Sequence, residues 1–255
     1  MTSIDIHPSV RRGDNMQIMG DLSLARGVEV GANVTFFPNV RVGENTRILP
    51  GAVIGRPPIR AGTTNRPIDR GDATLHIGSD SIIGANSVLY TSMRIGSNVL
   101  VGDLAVIREG CRLEDDTVVG QNTTLMHDVV LQTRSRVHNL VHITGTMVIE
   151  PDVFIGPSVS SINDNDVYLK RFGLIPFEVT GPRVRRFAVI GTAATIGANI
   201  DVGVGAIVAP GAVAIKDVAP WTIVAGVPAR ELRAVDAASR AQVLAHFGLP
   251  NEAGE

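Results

Sequence analysis

Aromatic residues, cysteine and net charge are scarce in this sequence, and no long apolar run occurs. Its 255 residues include seven Phe, two Tyr and one Trp. Aromatic side chains normally supply much of a rounded core, so a wide globular interior is excluded. The single cysteine, Cys111, excludes an intrachain disulfide and fits a reducing, cytoplasmic compartment. A formal charge of −2 disfavours a broad nucleic-acid surface. No stretch approaches the roughly 20 apolar residues that span a bilayer. Residues 1–12 are polar and carry no apolar signal core.

Small and aliphatic residues take their place. There are 27 Gly, and 44% of the chain is apolar, too much for a disordered tract. The aliphatics recur every six residues. One run steps from Ile18 through Leu24, Val30, Phe36, Val42 and Ile48 to Ile54. A second runs from Ile77 to Ile155 as fourteen aliphatic residues without a miss, and a third runs from Ile190 to Ala214. At a background near one in three, the middle run arises by chance about once in several million trials. Gly often follows the aliphatic residue, and a small or β-branched residue precedes it by two. Short flat strands with a corner every six residues need an inward anchor, a small corner residue and a flexible turn position. Three such strands close a triangular prism, one coil per eighteen residues. Nearly nine coils are expected, in a prism roughly 40 Å tall. Cys111 falls on the small corner position and reads as packing.

Two register breaks mark inserted loops, at about 56–76 and within 160–186. Loops on a rigid scaffold are where binding residues sit. The repeat ends near 233, giving a β-helix region over 1–233. A tail over 234–255 follows, with Asp236 capping a short helix at about 237–247.

The pattern resembles the left-handed parallel β-helix of the hexapeptide-repeat acyltransferases, over about 18–233. The resemblance implies an all-β fold whose left-handed crossover departs from the usual rule, and a homotrimer with active sites in clefts between neighbouring prisms. The tail 216–233, above all Gly226-Val227-Pro228-Ala229-Arg230, resembles the closing segment of acetyl-CoA-dependent members. By that likeness Gly191, Lys216, Trp221, Gly226, Pro228, Ala229 and Arg230 would serve CoA. Gly226 permits close backbone approach, Pro228 stiffens the turn, and Lys216 and Arg230 can meet phosphates. The alternative is that this tail merely caps the last coil.

Leu125-Met126-His127-Asp128 resembles the His-Asp pair of the lipid A UDP-N-acetylglucosamine acyltransferases and the His-Glu pair of bacillosamine-type sugar acetyltransferases. In both, the histidine is a general base. The likeness to the lipid A enzymes extends to Asn139, to Gly145 and to Ile54-Gly55-Arg56-Pro57-Pro58. It implies His127 as base, Asp128 as its partner and a backbone oxyanion donor near Gly145, with Asn139 and His142 lining the acceptor pocket. A neutral imidazole can take the proton that an attacking amine or hydroxyl must lose. Adjacent strand residues point oppositely, so this pair needs a corner. A second stretch, with Asn163-Asp164 and Val184-Arg185-Arg186, resembles nucleotide-linked amino-sugar N-acetyltransferases. It implies Asn163, Asp164, Arg185 and Arg186 as acceptor contacts; an Asx turn and a solvated charge run are the plain alternatives. Eighteen-residue coils would stack 127, 145 and 163 in one column. Arg183, and Arg60, Arg66 and Arg70 in the first loop, share the ambiguity between phosphate contact and solvated charge.

This sequence lacks the long C-terminal helical domain of the lipid A enzymes, which favours CoA over acyl carrier protein as donor. The expected reaction moves an acetyl group from acetyl-CoA to an amine or hydroxyl of a nucleotide-linked sugar, without a metal. The β-helix carbonic anhydrases offer a rival, but their histidine spacing is not met by His138 and His142. A non-catalytic scaffold is the other rival. Tyr168, Phe172 and Phe177 in the second loop, Phe154 beside it and Trp221 in the tail fall where a binding cleft would want aromatics.

Overall fold

The computed structural model describes residues 3–59, 68 and 73–250. The chain winds into a left-handed parallel β-helix. Among the described residues its three faces hold ten, twelve and ten strands. Strands visit the first, second and third faces in turn, as in Arg112–Leu113, Val118–Val119 and Thr124–Leu125. Pairing advances by eighteen residues, so Val106, Thr124 and His142 lie in one register. Two-residue strands suffice because every inward position is filled: Leu125, Leu131, Val137 and Ile143 are fully buried. The prism is longer than nine coils. Its first coil places exposed Arg12 in register with the anchor Val30, which hides that coil from an aliphatic count.

Corners explain the rest of the repeat. The third residue after most anchors adopts positive φ, as at Asp116, Asn122, Asp128, Arg134, Leu140 and Thr146, all between 53° and 64°. Asn and Asp tolerate this region best, and they recur there. The glycine directly after the anchor has another purpose from the turn flexibility expected of it. A Cβ on Gly102 would lie 2.6 Å from the Gln121 backbone nitrogen, so that position is small because the next coil presses on it.

Both insertions leave the third face and re-enter on the first. One departs after Val53–Arg56 and returns at Leu75–Ile77; the other departs after Ser160–Ser161 and returns at Arg183–Val184. We term this corner column the loop edge. The second insertion is shorter than 160–186 because buried Ser161 fills an inward position and accepts the Thr144 N–H at 2.9 Å. It contains helix α1, Val167–Lys170. Arg60, Arg66 and Arg70 lie outside the described residues.

The prism ends with an antiparallel strand, Arg230–Ala234, on Thr222–Ala225. Helix α2, Ala237–His246, follows as expected, with Asp236 accepting the Ser239 N–H at 2.8 Å. Phe247 then folds back against Phe187, 4.9 Å between ring centroids. No helix among the described residues is long and apolar enough to cross a membrane.

Candidate active site at the loop edge

His127 stands on the loop edge, three coils after the first insertion departs and two coils before the second. The strand before it lies on the third face and the strand after it on the first. The corner required by the His127–Asp128 pair is present. Asp128 occupies the positive-φ position, φ 59°, which turns its carboxylate back beside its neighbour. The imidazole is buried, with 8% of the residue exposed, and its Nδ1 lies 2.7 Å from Asp128 Oδ2. A carboxylate at Nδ1 favours the Nδ1–H tautomer and leaves the Nε2 lone pair for a substrate proton.

Gly145 lies one coil further on, over the ring. A Cβ there would sit 2.5 Å from His127 Nε2 and 2.7 Å from Cε1, so only glycine leaves the imidazole in place. Asn163 continues the column and donates from Nδ2 to the Gly145 carbonyl at 3.1 Å. At three equivalent corner positions the backbone N–H is spent on the next coil's side chain. Ala85 donates to Asp103 at 2.7 Å, Ser97 to Asp115 at 2.8 Å and Gln121 to Asn139 at 2.9 Å. Gly145 N–H has no such acceptor among the described residues, because Asn163 engages its carbonyl instead. An amide donor is therefore kept unspent beside the His127 ring, the arrangement that holds a developing oxyanion.

One member of this column escapes the sequence motifs. Glu109 precedes His127 by one coil and is only 2% exposed, and its backbone carbonyl accepts the Asp128 N–H at 3.0 Å. Its carboxylate takes two hydrogen bonds from Arg108, at 3.0 and 3.1 Å. Subtracting eighteen from 127 would have found it. Cys111 is buried packing: its thiol donates to the Met126 carbonyl at 3.0 Å, and burial pushes its pKa up to about 12. A thiol so held is not a nucleophile.

The other expected site residues disperse. Asn139 stands at the second-to-third corner, where it ties Gln121, and not at the loop edge. His142 is exposed on the outer third face, in the strand leading to Gly145. Asp164 is a loop clasp: Lys170 Nζ, itself buried, donates to it at 2.9 Å and also to the Glu178 carbonyl. Burial raises the Asp164 pKa, but the Lys170 and Asp166 N–H hydrogen bonds outweigh it and hold the carboxyl below its ordinary value. Arg185 and Arg186 are spent on carboxylates. Arg185 takes Asp201 at 2.5 Å and Glu150 at 3.2 Å, and Arg186 takes Asp152 at 3.0 Å. The Asp201 hydrogen bonds raise the Arg185 pKa further. These arginines brace the first-to-second corner through internal pairing.

In the tail, Trp221 packs inward. It is buried in the space that Gly205 leaves, with the Arg240 guanidinium 5.1 Å from its ring. The 226–229 turn caps the third face, since Val213 N–H donates to the Gly226 carbonyl and Ala229 N–H to the Val213 carbonyl. Gly226 has φ 92°, and Pro228 follows a cis bond. Gly191 is a corner pressed by the next coil, where a Cβ would meet Pro210 N at 2.5 Å. Lys216 is exposed on the loop edge, four coils past His127, about 19 Å at 4.8 Å per coil. Phe154 packs edge-on against His138 on the second face, 6.2 Å between centroids, away from the loop edge. Tyr168, Phe172 and Phe177 are exposed in the second insertion. No group of three or more His, Cys, Asp or Glu is placed to hold a metal among the described residues.

No family model matches the chain, and no curated protein does. Solved structures do resemble it. The UDP-N-acetylglucosamine acyltransferase of Francisella novicida is 17% identical over 96% of this chain and 74% of its own, with a TM-score of 0.40. That of Campylobacter jejuni is 18% identical over 89% and 73%, with a TM-score of 0.44. AntD, an N-acyltransferase from Bacillus cereus crystallised with dTDP and coenzyme A, is 18% identical over 66% and 90%, with a TM-score of 0.39. The parallel β-helix is shown by the chain's own strands, stacked on three faces.

Proposed function

We propose that this β-helix protein is an acyltransferase that moves an acetyl group from acetyl-CoA to an amine or hydroxyl of a nucleotide-linked sugar. One observation carries the reading. The buried His127–Asp128 pair, the unspent Gly145 amide and both insertions share a single edge of an otherwise regular prism. His127 Nε2 takes the proton as the acceptor attacks the thioester carbonyl. Asp128 orients the ring and stabilises the imidazolium, and the Gly145 N–H receives the oxyanion. The CoA thiol then leaves as the tetrahedral intermediate collapses, taking up a proton. Lys216, further along the same edge, suits a CoA phosphate. The acceptor class rests on the sequence likeness to the sugar acyltransferases.

Ile82, Leu100 and Phe154 face outward on the second face, flanked by Leu104 and Leu140 and interrupted by exposed Arg136. This face suits burial against further copies in the homotrimer that the sequence likeness implies.

The test is thiol release from acetyl-CoA against a panel of UDP- and dTDP-linked amino sugars. His127→Ala should lower turnover about 10²- to 10⁴-fold while calorimetry shows acetyl-CoA binding intact. No acetyl-CoA binding up to millimolar concentration, or full turnover in H127A, would sink the reading.

A further inference from the structure

The loop edge carries a second constellation, on the side of His127 opposite Lys216. Arg56, Tyr90 and Arg108 occupy successive coils of one column. Arg56 is in register with Tyr90, and Arg108 follows Tyr90 by one eighteen-residue coil. Both guanidinium carbons approach the Tyr90 ring, at 5.3 Å from its centroid for Arg56 and 5.4 Å for Arg108. The next residue of that column is Met126, beside His127.

What matters at this column is which guanidinium donors remain open. Several guanidiniums on the prism are neutralised by carboxylates: Arg134 and Arg186 share Asp152, and Arg185 takes Asp201 and Glu150. Arg56 has no carboxylate partner among the described residues, only the aromatic ring. Arg108 donates through Nε and Nη2 to buried Glu109; a guanidinium has five N–H donors, so others stay open on a fork already fixed in place. Beside Tyr90, the buried Thr91 hydroxyl also lacks a partner among the described residues.

Cation–ring contacts of this kind pre-order a guanidinium without neutralising it. Two ordered forks around one ring match a ligand with two linked anionic groups, and the planar fork fits phosphate oxygens. From Arg108 to His127 is one coil, about 4.8 Å, roughly the breadth of a sugar ring.

We propose that Arg56 and Arg108 bind the diphosphate of the acceptor, so that its sugar reaches His127 from the first-insertion side while CoA approaches from the Lys216 side. This deepens the acyltransferase reading and rests on it for the identity of the acceptor. The binding site itself is tested without turnover.

Calorimetry of the full-length protein with UDP, inorganic pyrophosphate and acetyl-CoA tests it, because CoA also carries a diphosphate. Arg56→Gln should weaken UDP and pyrophosphate at least tenfold and leave acetyl-CoA within twofold. Arg56→Lys, which keeps the charge and guards against a folding defect, should weaken UDP at least threefold because an ammonium lacks the fork. Loss of acetyl-CoA binding in place of UDP binding would overturn the acceptor-side assignment. Unchanged UDP binding in both variants, or no UDP binding by wild type at millimolar concentration, would overturn the site. UDP binding without acetyl-CoA binding would leave this site standing and refute the transfer reaction.

Discussion

Replacing Gly145 with alanine isolates the geometry of the proposed base. The added methyl would begin 2.5 Å from His127 Nε2, 2.7 Å from Cε1 and 2.9 Å from Cδ2. All three are closer than real Cβ contacts, so the imidazole must move by about 1 Å to reach ordinary contact distance. Gly145 does not have positive φ, so the backbone accepts alanine and the whole effect falls on the ring. The ring has little freedom, being buried and held by Asp128 at 2.7 Å. Overpacking of this kind costs about 1–3 kcal/mol, and a 1 Å misplacement of a reacting group costs about 10²-fold in rate. We expect G145A to lose about 2 kcal/mol in denaturant unfolding and about a hundredfold in kcat for thiol release. A control separates strain from displacement. Gly211 has φ 70° and nothing within 4 Å of an added Cβ, so G211A should cost about 1 kcal/mol and leave kcat unchanged. Wild-type kcat in G145A would refute both the ring position and its role.

Two further outcomes follow from the ion pairs. Burial raises the Asp152 pKa, but hydrogen bonds from Arg134 and Arg186 outweigh it and set the carboxyl below its ordinary 3.8. A depressed carboxyl stabilises the fold fully above its unfolded pKa and loses that contribution as pH falls through the folded value. The loss therefore begins below about pH 4, and Asp152→Asn should flatten the acid limb of a stability–pH profile; an unaltered limb would remove Asp152 from that role. Arg185→Gln should leave calorimetric acetyl-CoA affinity within twofold and cost no more than about 1 kcal/mol, since its partners are surface carboxylates. A tenfold loss of affinity would restore the phosphate role inferred from the sequence.

The prism was legible because its physics repeats. Every strand needs one aliphatic anchor, so six-residue spacing shows through wherever the anchor is aliphatic, and it fails at Arg12 and Ser161 where it is not. The eighteen-residue coil likewise stacks His127, Gly145 and Asn163, and the Asn163 bond to the Gly145 carbonyl bears that column out. Glu109 was reachable by the same subtraction, but no motif drew attention to it. The internal contacts of Trp221, Arg185 and Arg186 were not legible for a physical reason. Their partners Phe187, Asp201, Glu150 and Asp152 lie between 16 and 36 residues away, and a charged or aromatic residue in a loop does not disclose whether its partner is internal or a ligand.

Scarce aromatics, a single cysteine and an unbroken aliphatic spacing are enough, by themselves, to determine a thin prism of three-strand coils. Only the tertiary structure decided which side chains share a corner. It brought both insertions, His127 and the Arg56–Tyr90–Arg108 ladder to one edge, and Asn139 to another. The reason is that periodicity specifies what points inward, where water is excluded and only aliphatics fit. Outward side chains are constrained by neighbours one or more coils away, and those neighbours become known only when the coils are stacked.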